Sequence, residues 1–279
     1  MFALSDIYRP ITAHPFMNNE AYIEIQPCEE LKPYICCFWG TAETYTSIVN
    51  SEIKDGIVIP DTCMDIIFNL DMDKNELKDF FTGINDTSFH VQSQKSSSRI
   101  SCFAIRFYFW AVPLFSEEPM NKVLNAYVET EMYFKSFRRD FQNILINNPL
   151  IMDRIQKVEA YLIKRINLNR QNNNVMNAVY KLLESKGSAN ISELSDFTVV
   201  SQRQLERLFL QYIGVSPKKL SGLIRYQYLW KDILLNRNMN VQDAVYKYRY
   251  SDQAHLLKDF KRYHTMTPSE AKNFAHKTR

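Results

Sequence analysis

Polar and cationic side chains recur on one side of two C-terminal segments that have the hydrophobic spacing of an α-helix. The two segments are residues 201–212 and 252–263. At 100° per residue, the first places Arg203, Glu206 and Arg207 on one side. The second turns Lys258 to the corresponding side, with His255 on its flank. Arginine can donate two hydrogen bonds to guanine and glutamate can accept one from cytosine. These side chains could therefore read base edges in the major groove of duplex DNA.

The candidate contacts form two groups. Those predicted to meet base edges are Gln202, Arg203, Glu206, Arg207, Gln253, Ala254, His255, Leu257 and Lys258. Ala254 and Leu257 would touch a thymine methyl group. Those predicted to contact phosphates are Ser201, Lys218, Lys219, Arg225, Lys261 and Arg262. A charged helix face is usually only a solvated one, but two such faces in one basic region favour contact with a polyanion.

The charge of the chain is unevenly distributed. Its net charge is +3, yet residues 1–174 contain 17 Lys and Arg against 22 Asp and Glu, whereas residues 175–279 contain 17 against 9. A basic C-terminal third attached to an acidic body is typical of a chain whose tail meets nucleic acid.

An internal repeat contains both segments. A shift of 51 residues places five residues of the first copy on similar residues of the second: Leu205, Phe209, Tyr212, Ser216 and Pro217 on Leu256, Phe260, Tyr263, Thr267 and Pro268. In the segment before these residues, the two copies match at a shift of 50 residues instead of 51. The second copy therefore has one more residue in the turn between its two helices. Each copy is predicted to be a short helix, a tight turn and a second helix of about 11 residues, the helix-turn-helix pattern.

Capping residues mark the predicted helix boundaries. Residues that cap a helix N-terminus precede four predicted helices, at Asn190, Ser201, Asn240 and Asp252. In the first two cases Glu193 and Gln204 follow three residues later, as in a capping box. Gly187 predicts the end of an earlier helix that begins near Val175.

This tail, over residues 175–272, resembles the AraC/XylS family of bacterial transcription regulators. The resemblance is carried by Ile191-x-Glu193-Leu194, Ser201–Phe209, Gly214–Lys219, Arg225, Tyr250–Gln253, His255-Leu256, Asp259–Lys261 and Met266–Pro268. It implies seven helices with two helix-turn-helix motifs, joined by a long helix over residues 217–236. It also implies double-stranded DNA as the partner and RNA polymerase as a second partner of an activator. The five cysteines, an odd number with no Cys-x-x-Cys pair, indicate a cytoplasmic location.

Three residues depart from the family pattern. Arg249 and Thr265 stand where glycine is usual, and Leu229 stands where a small alanine is common. Residue 249 is expected to need a positive φ, which arginine tolerates poorly.

The N-terminal half is predicted to be β-rich and to complete an α+β, two-domain fold. Short apolar and aromatic runs between residues 20 and 112 predict strands, and the sheet is expected to be barrel-like. The expected divisions are residues 1–120 as a β-rich sensor, 121–166 as a helical region, a polar linker over 167–174, and 175–279 as a homeodomain-like double helix-turn-helix domain. The apolar stripe of the helical region, at Leu124, Val128, Ile155, Val158 and Leu162, would form either a homodimer interface or a contact with the β-rich domain.

Residues 24–128 also resemble an uncharacterised β-rich domain that occurs fused to such tails. The matching residues are Pro33-Tyr34, Trp39, Pro60-Asp61, Met64–Phe68, Gly83 and Ile105–Phe107. Asp65 and Arg106 lie among apolar neighbours, where an unpaired charge is costly. Two interpretations stay open. The residues pair with each other, or they anchor a small-molecule effector in a pocket with Trp39, Phe68, Phe107 and Trp110.

Signatures of catalysis, cofactors and metals are missing from the sequence. It has no Gly-x-Gly-x-x-Gly, Walker, Gly-x-Ser-x-Gly or His-Glu-x-x-His motif, and neither its five cysteines nor its five histidines have metal-site spacing. No apolar run is long enough to span a membrane. The expectation is a non-enzymatic, ligand-responsive regulator. The alternatives are a DNA-repair or other enzyme fused to such a tail, and a protein-interaction module.

Overall fold

The apolar runs of the N-terminal half form antiparallel strands. The computed structural model describes residues 4–11, 22–41, 56–91, 99–236 and 241–277. Its strands are β1 (Tyr22–Ile25), β2 (Ile35–Thr41), β3 (Gly56–Val58), β4 (Met64–Asp71), β5 (Glu76–Thr82), β6 (Phe89–Val91), β7 (Ile100–Phe107) and β8 (Tyr127–Val128). Six of them pair in the order β1-β2-β7-β4-β5-β8, while β3 pairs with β6. This confirms the predicted β-rich N-terminal part.

Two helices cover one face of the six-stranded sheet. They are α2 (Phe137–Asn147) and α3 (Ile151–Arg165). Phe68 of β4 meets Phe141 of α2 with ring centroids 5.7 Å apart, and Phe81 of β5 meets Phe134 at 5.3 Å. Because the side chains of a strand alternate between faces, the residues that share the face of Phe68 are buried against these helices.

In the region 121–166, the helices begin later than predicted. Residues 121–136 form turns, a short 3₁₀ helix and β8, and the first α-helix of the region starts at Phe137. Ile155, Val158 and Leu162 are buried in the chain's own core, whereas Leu124 is exposed. Of the two alternatives for this stripe, a homodimer interface or a contact with the β-rich part, these three residues therefore make the contact within the chain.

A buried arginine joins α2 to α3. Arg154 is 1% exposed and donates hydrogen bonds to the carbonyl oxygens of Leu145 (2.9 Å) and Asn148 (2.8 Å), at the end of α2. It also donates to the Ser101 hydroxyl of β7, at 2.8 Å. Its cation thus meets carbonyls that the end of a helix leaves unsatisfied and that carry partial negative charge.

The tail is helical, as predicted. Among the described residues it contains seven helices: α4 (Asn173–Glu184), α5 (Ile191–Thr198), α6 (Gln202–Tyr212), α7 (Pro217–Leu235), α8 (Val241–Lys247), α9 (Gln253–His264) and α10 (Pro268–Lys277). Another short helix, α1 (Leu4–Ile7), lies near the N-terminus. The predicted linker contains a 3₁₀ helix at Leu168–Arg170, and α4 begins directly after the Asn172 cap.

The long helix α7 is buried on most of its circumference. Leu220, Ile224 and Trp230 are buried, but so are Leu223, Tyr226 and Leu229 on other sides. The reason is that α7 contacts α4, α6, α9 and α10, and the N-terminal part as well.

Contacts with α7 fasten the N-terminal part to the tail. Gln227 is 2% exposed; its amide donates to the carbonyl oxygen of Pro60 at 2.5 Å and accepts from the backbone N–H of Ile11 at 2.9 Å. Tyr228 donates to the carbonyl oxygen of Ile7 at 2.8 Å. Leaving a buried amide unpaired costs free energy. The two hydrogen bonds of Gln227 therefore favour this one arrangement of the N-terminal part against the tail.

Stability should fall as the pH is lowered from 6.5 to 4, through His264 of α9. Burial lowers the pKa of His264 to about 4, and the Tyr226 hydroxyl lies 2.7 Å from its Nδ1. The unfolded chain binds this proton near pH 6.5 and the folded chain does not, so up to about 3 kcal/mol is lost across that window. Urea unfolding at pH 7 and 4.5 measures it. His264→Gln should have a flatter pH dependence, and an unchanged dependence would contradict this role.

Candidate nucleic-acid interface

The second helix of the first helix-turn-helix unit, α6, is oriented by its cap and its core face. Ser201 caps it by accepting a hydrogen bond from the Gln204 N–H at 3.3 Å, as the sequence predicts. Leu205 and Phe209 are fully buried, which fixes the rotation of the helix. The residues proposed to meet bases are therefore on the solvent side, and all are exposed: Gln202, Arg203, Glu206 and Arg207.

The corresponding helix of the second unit, α9, repeats this arrangement. Asp252 caps it by accepting from the His255 N–H at 2.7 Å. Leu256, Phe260 and Tyr263 are buried, so the five predicted base contacts are again exposed: Gln253, Ala254, His255, Leu257 and Lys258. Both copies thus present a polar face opposite an apolar one.

The first helix of the first helix-turn-helix unit, α5, is fixed by local signals. Asn190 and Glu193 form the predicted capping box at the start of α5, with hydrogen bonds of 3.0 and 2.8 Å. Gly187 has φ +75°, and a Cβ there would lie 2.4 Å from the carbonyl oxygen of Ser221 in α7. The predicted Asn240 cap of α8 lies outside the described residues.

Both units use a left-handed residue at corresponding turns, and the second does so without glycine. Val199 (φ 54°) and Arg249 (φ 50°) precede α6 and α9, while Gly214 (φ 86°) and Thr265 (φ 63°) follow them. Arg249 thus has the positive φ expected for its position. Left-handed backbone costs an L-residue about 1–2 kcal/mol, so Arg249 and Thr265 both carry strain in the turns around α9.

Thr265→Gly is expected to stabilise the chain by about 0.5–1 kcal/mol. Glycine removes the left-handed strain at φ 63°, and the greater entropy of the unfolded chain offsets part of this gain. Urea unfolding measures the change. Thr87→Gly is the control, because Thr87 is exposed and outside the left-handed region. Equal destabilisation by the two substitutions would show that Thr265 is not strained.

The predicted phosphate contacts differ in availability. Ser201, Lys218 and Lys261 are exposed. Arg225 is not: its side chain is 18% exposed, it donates to Asp259 at 3.2 Å, and its guanidinium lies 4.3 Å from the ring centroid of Tyr250. This corrects the expectation for Arg225, which joins α7 to α9 and so positions the second unit. Its position within α7, which packs against both helix-turn-helix units, is the feature that could have indicated this structural role.

Lys219 and Arg262 are engaged by the N-terminal part. Both pair with Asp86, which follows β5: the Lys219 ammonium donates to Asp86 Oδ2, and Arg262 Nη2 lies 3.9 Å from the same oxygen. Asp86 was not among the candidates, because its partners are more than 130 residues away in the sequence.

The N-terminal candidates do not line one pocket. Trp39, Asp65 and Arg106 lie on one face of the sheet, while Phe68 and Phe107 lie on the other and pack beneath α2 and the segment before it. Trp110 follows β7, 5% exposed, and donates to the carbonyl oxygen of Pro33 at 3.0 Å. The single pocket of six residues is therefore wrong, because strand alternation separates its members.

The alternative interpretation, a structural ion pair, is the one found. Arg106 donates from Nε to Asp65 Oδ1 at 2.9 Å and from Nη2 to Oδ2 at 3.3 Å. Trp39 donates to the same carboxylate at 3.0 Å. A second carboxylate, Asp61, lies 3.5 Å from Nη1. Burial and the neighbouring Asp65 outweigh the attraction of Arg106 and raise the pKa of Asp61 to about 6.

Neither a membrane-spanning helix nor a metal cluster is found in the part of the chain that the structure describes. No helix there is both long and apolar enough to cross a bilayer. The same residues contain no group of three or more His, Cys, Asp or Glu side chains placed to hold a metal ion.

Two domain families match the chain. Residues 194–273 match the family described as a helix-turn-helix domain, which covers α6 and α9. Residues 23–129 match a domain of unknown function (DUF6597). No curated protein is similar enough to match.

Solved structures with some likeness to the chain have low identities. A probable AraC family transcriptional regulator from Rhodopseudomonas palustris CGA009 is 22% identical, over 37% of this chain and 98% of its own, with a TM-score of 0.33. ToxT from Vibrio cholerae is 16% identical, over 80% and 95%, with a TM-score of 0.40. ToxT bound to (E)-4-(8-methylnaphthalen-1-yl)but-3-enoic acid is 12% identical, over 81% and 96%, with a TM-score of 0.39.

Proposed function

Because the chain carries an AraC-type helix-turn-helix domain behind a domain of unknown function, we propose that it is a sequence-specific transcription regulator. In this proposal α6 and α9 enter two successive segments of the major groove, about one DNA turn or roughly 34 Å apart. One chain would then contact both segments without dimerising, and dimerisation would double the site.

The observation that supports this proposal most strongly is the repetition of one surface in two copies. Each reading helix buries its apolar stripe and exposes cations and hydrogen-bonding groups at its N-terminal half. In the first copy these are Arg203 and Arg207; in the second, His255 and Lys258. A tail that only bound protein would not need matching polar faces on both helices, since protein-binding surfaces have an apolar centre.

A salt titration of DNA binding tests the function. The full chain is mixed with a labelled 40-base-pair duplex of mixed sequence, and the Kd is measured by anisotropy between 50 and 200 mM NaCl. Release of counterions from several phosphates should weaken binding steeply, by about 10³-fold for six contacts. A Kd independent of salt, or no binding at 50 mM, would contradict the proposal and favour a protein-interaction module.

A DNA-repair enzyme that used Cys63 would need that thiol to be a reactive nucleophile. Burial raises the pKa of the Cys63 thiol well above its ordinary value, whereas a nucleophilic cysteine needs a lowered pKa and access to solvent. Cys63→Ser is therefore expected to leave DNA binding intact, and the enzyme reading would require it to abolish activity.

Regulation through the N-terminal domain is the remaining part of the proposal. A small-molecule effector or a second copy of the chain would act there, and an activator would also contact RNA polymerase; the working location would be the cytoplasm. Of Trp39, Asp65 and Arg106, which share one face of the sheet, Trp39 is the one that is not buried. A thermal-shift screen with metabolites, repeated on Trp39→Ala, would identify an effector that binds this face.

A further inference from the structure

Asp86 is held rigidly where the N-terminal part meets the tail. It is 9% exposed. The side chain of Asn125 binds it twice, donating to Asp86 Oδ1 at 2.8 Å and accepting from the Asp86 N–H at 3.0 Å. The loop thus fixes one carboxylate oxygen and leaves Oδ2 directed at the tail.

The two cations at Oδ2 come from different halves of the tail. Lys219 lies in the first turn of α7, directly after the first helix-turn-helix unit, and Arg262 lies near the end of α9, in the second. A single anion therefore bridges both units. Their side chains are 23% and 55% exposed, so neither is deeply buried.

The surroundings favour an anion at this point. Burial disfavours the charged carboxylate of Asp86, but hydrogen bonds from Lys219 and Asn125 outweigh burial and hold its pKa below the usual range. An ammonium and a guanidinium converging on one oxygen also make the arrangement that binds a phosphate oxygen. Lys218 and Lys261, beside them in the sequence, are exposed cations as well.

We propose that Lys219 and Arg262 form one site for a backbone phosphate of duplex DNA, which Asp86 occupies until DNA displaces it. This inference rests on the proposed function, since it requires that the tail bind DNA. Because the phosphate and Asp86 compete for the same two cations, DNA binding and the contact between the two parts oppose each other. Linkage makes this opposition reciprocal: whatever secures Asp86 weakens DNA binding.

Asp86→Asn in the full chain tests the competition. Asparagine keeps the size of the side chain and removes its charge, so the Kd for the mixed-sequence duplex at 50 mM NaCl should fall about fivefold. The matched control is Asp73→Asn, which removes an exposed carboxylate paired with Arg99 in the N-terminal part; its Kd should stay within about twofold of the wild type. Thermal unfolding confirms that each variant is folded.

Arg262→Gln provides a second, independent arm. Arg262 is exposed, so the variant should fold. The substitution should raise the Kd more in the Asp86→Asn background than in the wild type, because only in that background is the site unoccupied before DNA binds. Arg139→Gln, an exposed substitution on α2, is its control.

The outcomes separate this inference from the function on which it rests. If the wild type binds DNA and Asp86→Asn binds no more tightly, the competition is refuted and the proposed function stands. If Arg262→Gln has the same effect in both backgrounds, the competition is likewise refuted. If neither wild type nor Asp86→Asn binds duplex DNA at 50 mM NaCl, both proposals fail together.

Discussion

Replacing Arg203 or Arg207 by alanine should relax sequence preference at one base pair each and leave affinity for mixed-sequence DNA nearly unchanged. A bidentate contact between arginine and guanine contributes about 1–3 kcal/mol of discrimination, which corresponds to roughly fivefold to 150-fold. Arg207 is already held on the exposed side of α6, where its Nη2 donates to Gln204 at 3.0 Å. Both arginines are exposed, so neither substitution should destabilise the fold.

The comparison that isolates base reading is Lys218→Ala. Lys218 is exposed at the start of α7, and a phosphate contact there should weaken binding to all sequences alike and reduce the salt slope by about 1. Competition between a preferred duplex and a mixed-sequence duplex measures the specificity ratio for each variant. If the arginine variants lose equally on both duplexes, their role is not to read bases.

Arg106→Met should be the most destabilising substitution considered, at about 3–5 kcal/mol. It leaves the carboxylates of Asp65 and Asp61 buried beside β7 without their shared cation. Because an unpaired buried carboxylate gains by taking up a proton, the loss should be larger at pH 8 than at pH 5.5. Urea unfolding at the two pH values measures both effects.

Two variants bracket this result. Arg99→Met breaks an exposed pair with Asp73, and its cost should stay below about 1 kcal/mol. Arg106→Lys keeps the charge but loses the two-pronged contact with Asp65, so it should fall between them. A loss under about 1 kcal/mol for Arg106→Met would show that the ion pair does not support the sheet.

The faces of α6 and α9 could be predicted because the information is local. Leu205 and Phe209, four residues apart, define the buried side of α6, and Asp252 marks the start of α9. Even the strain at Arg249 was visible, since a glycine position filled by arginine predicts an unfavourable φ, and the structure has φ 50° there.

The alternation of side chains along a strand excludes the predicted six-residue pocket. Asp65 and Phe68 are three residues apart, so on one strand they must point to opposite faces. Residue type alone places them in one pocket, but this parity does not allow it. Pairing of Asp65 with Arg106, by contrast, follows from the cost of burying either charge alone.

Contacts between the two parts could not be predicted from a single sequence. Asp86 meets Lys219 across 133 residues, and Gln227 meets Pro60 across 167. No periodicity or spacing connects positions so far apart. Asp86 and Gln227 are for this reason not evident from the sequence, and neither is the pairing of Arg225 with Asp259, 34 residues away.

Selection of duplexes from a random library by the full chain tests most directly whether both helices read DNA. If α6 and α9 enter neighbouring turns of the groove, the sequenced survivors should share two short conserved segments centred about 10 base pairs apart. Arg203→Ala and Arg207→Ala should degrade one segment and leave the other. A single conserved segment, or survivors with no shared sequence, would contradict the two-helix account.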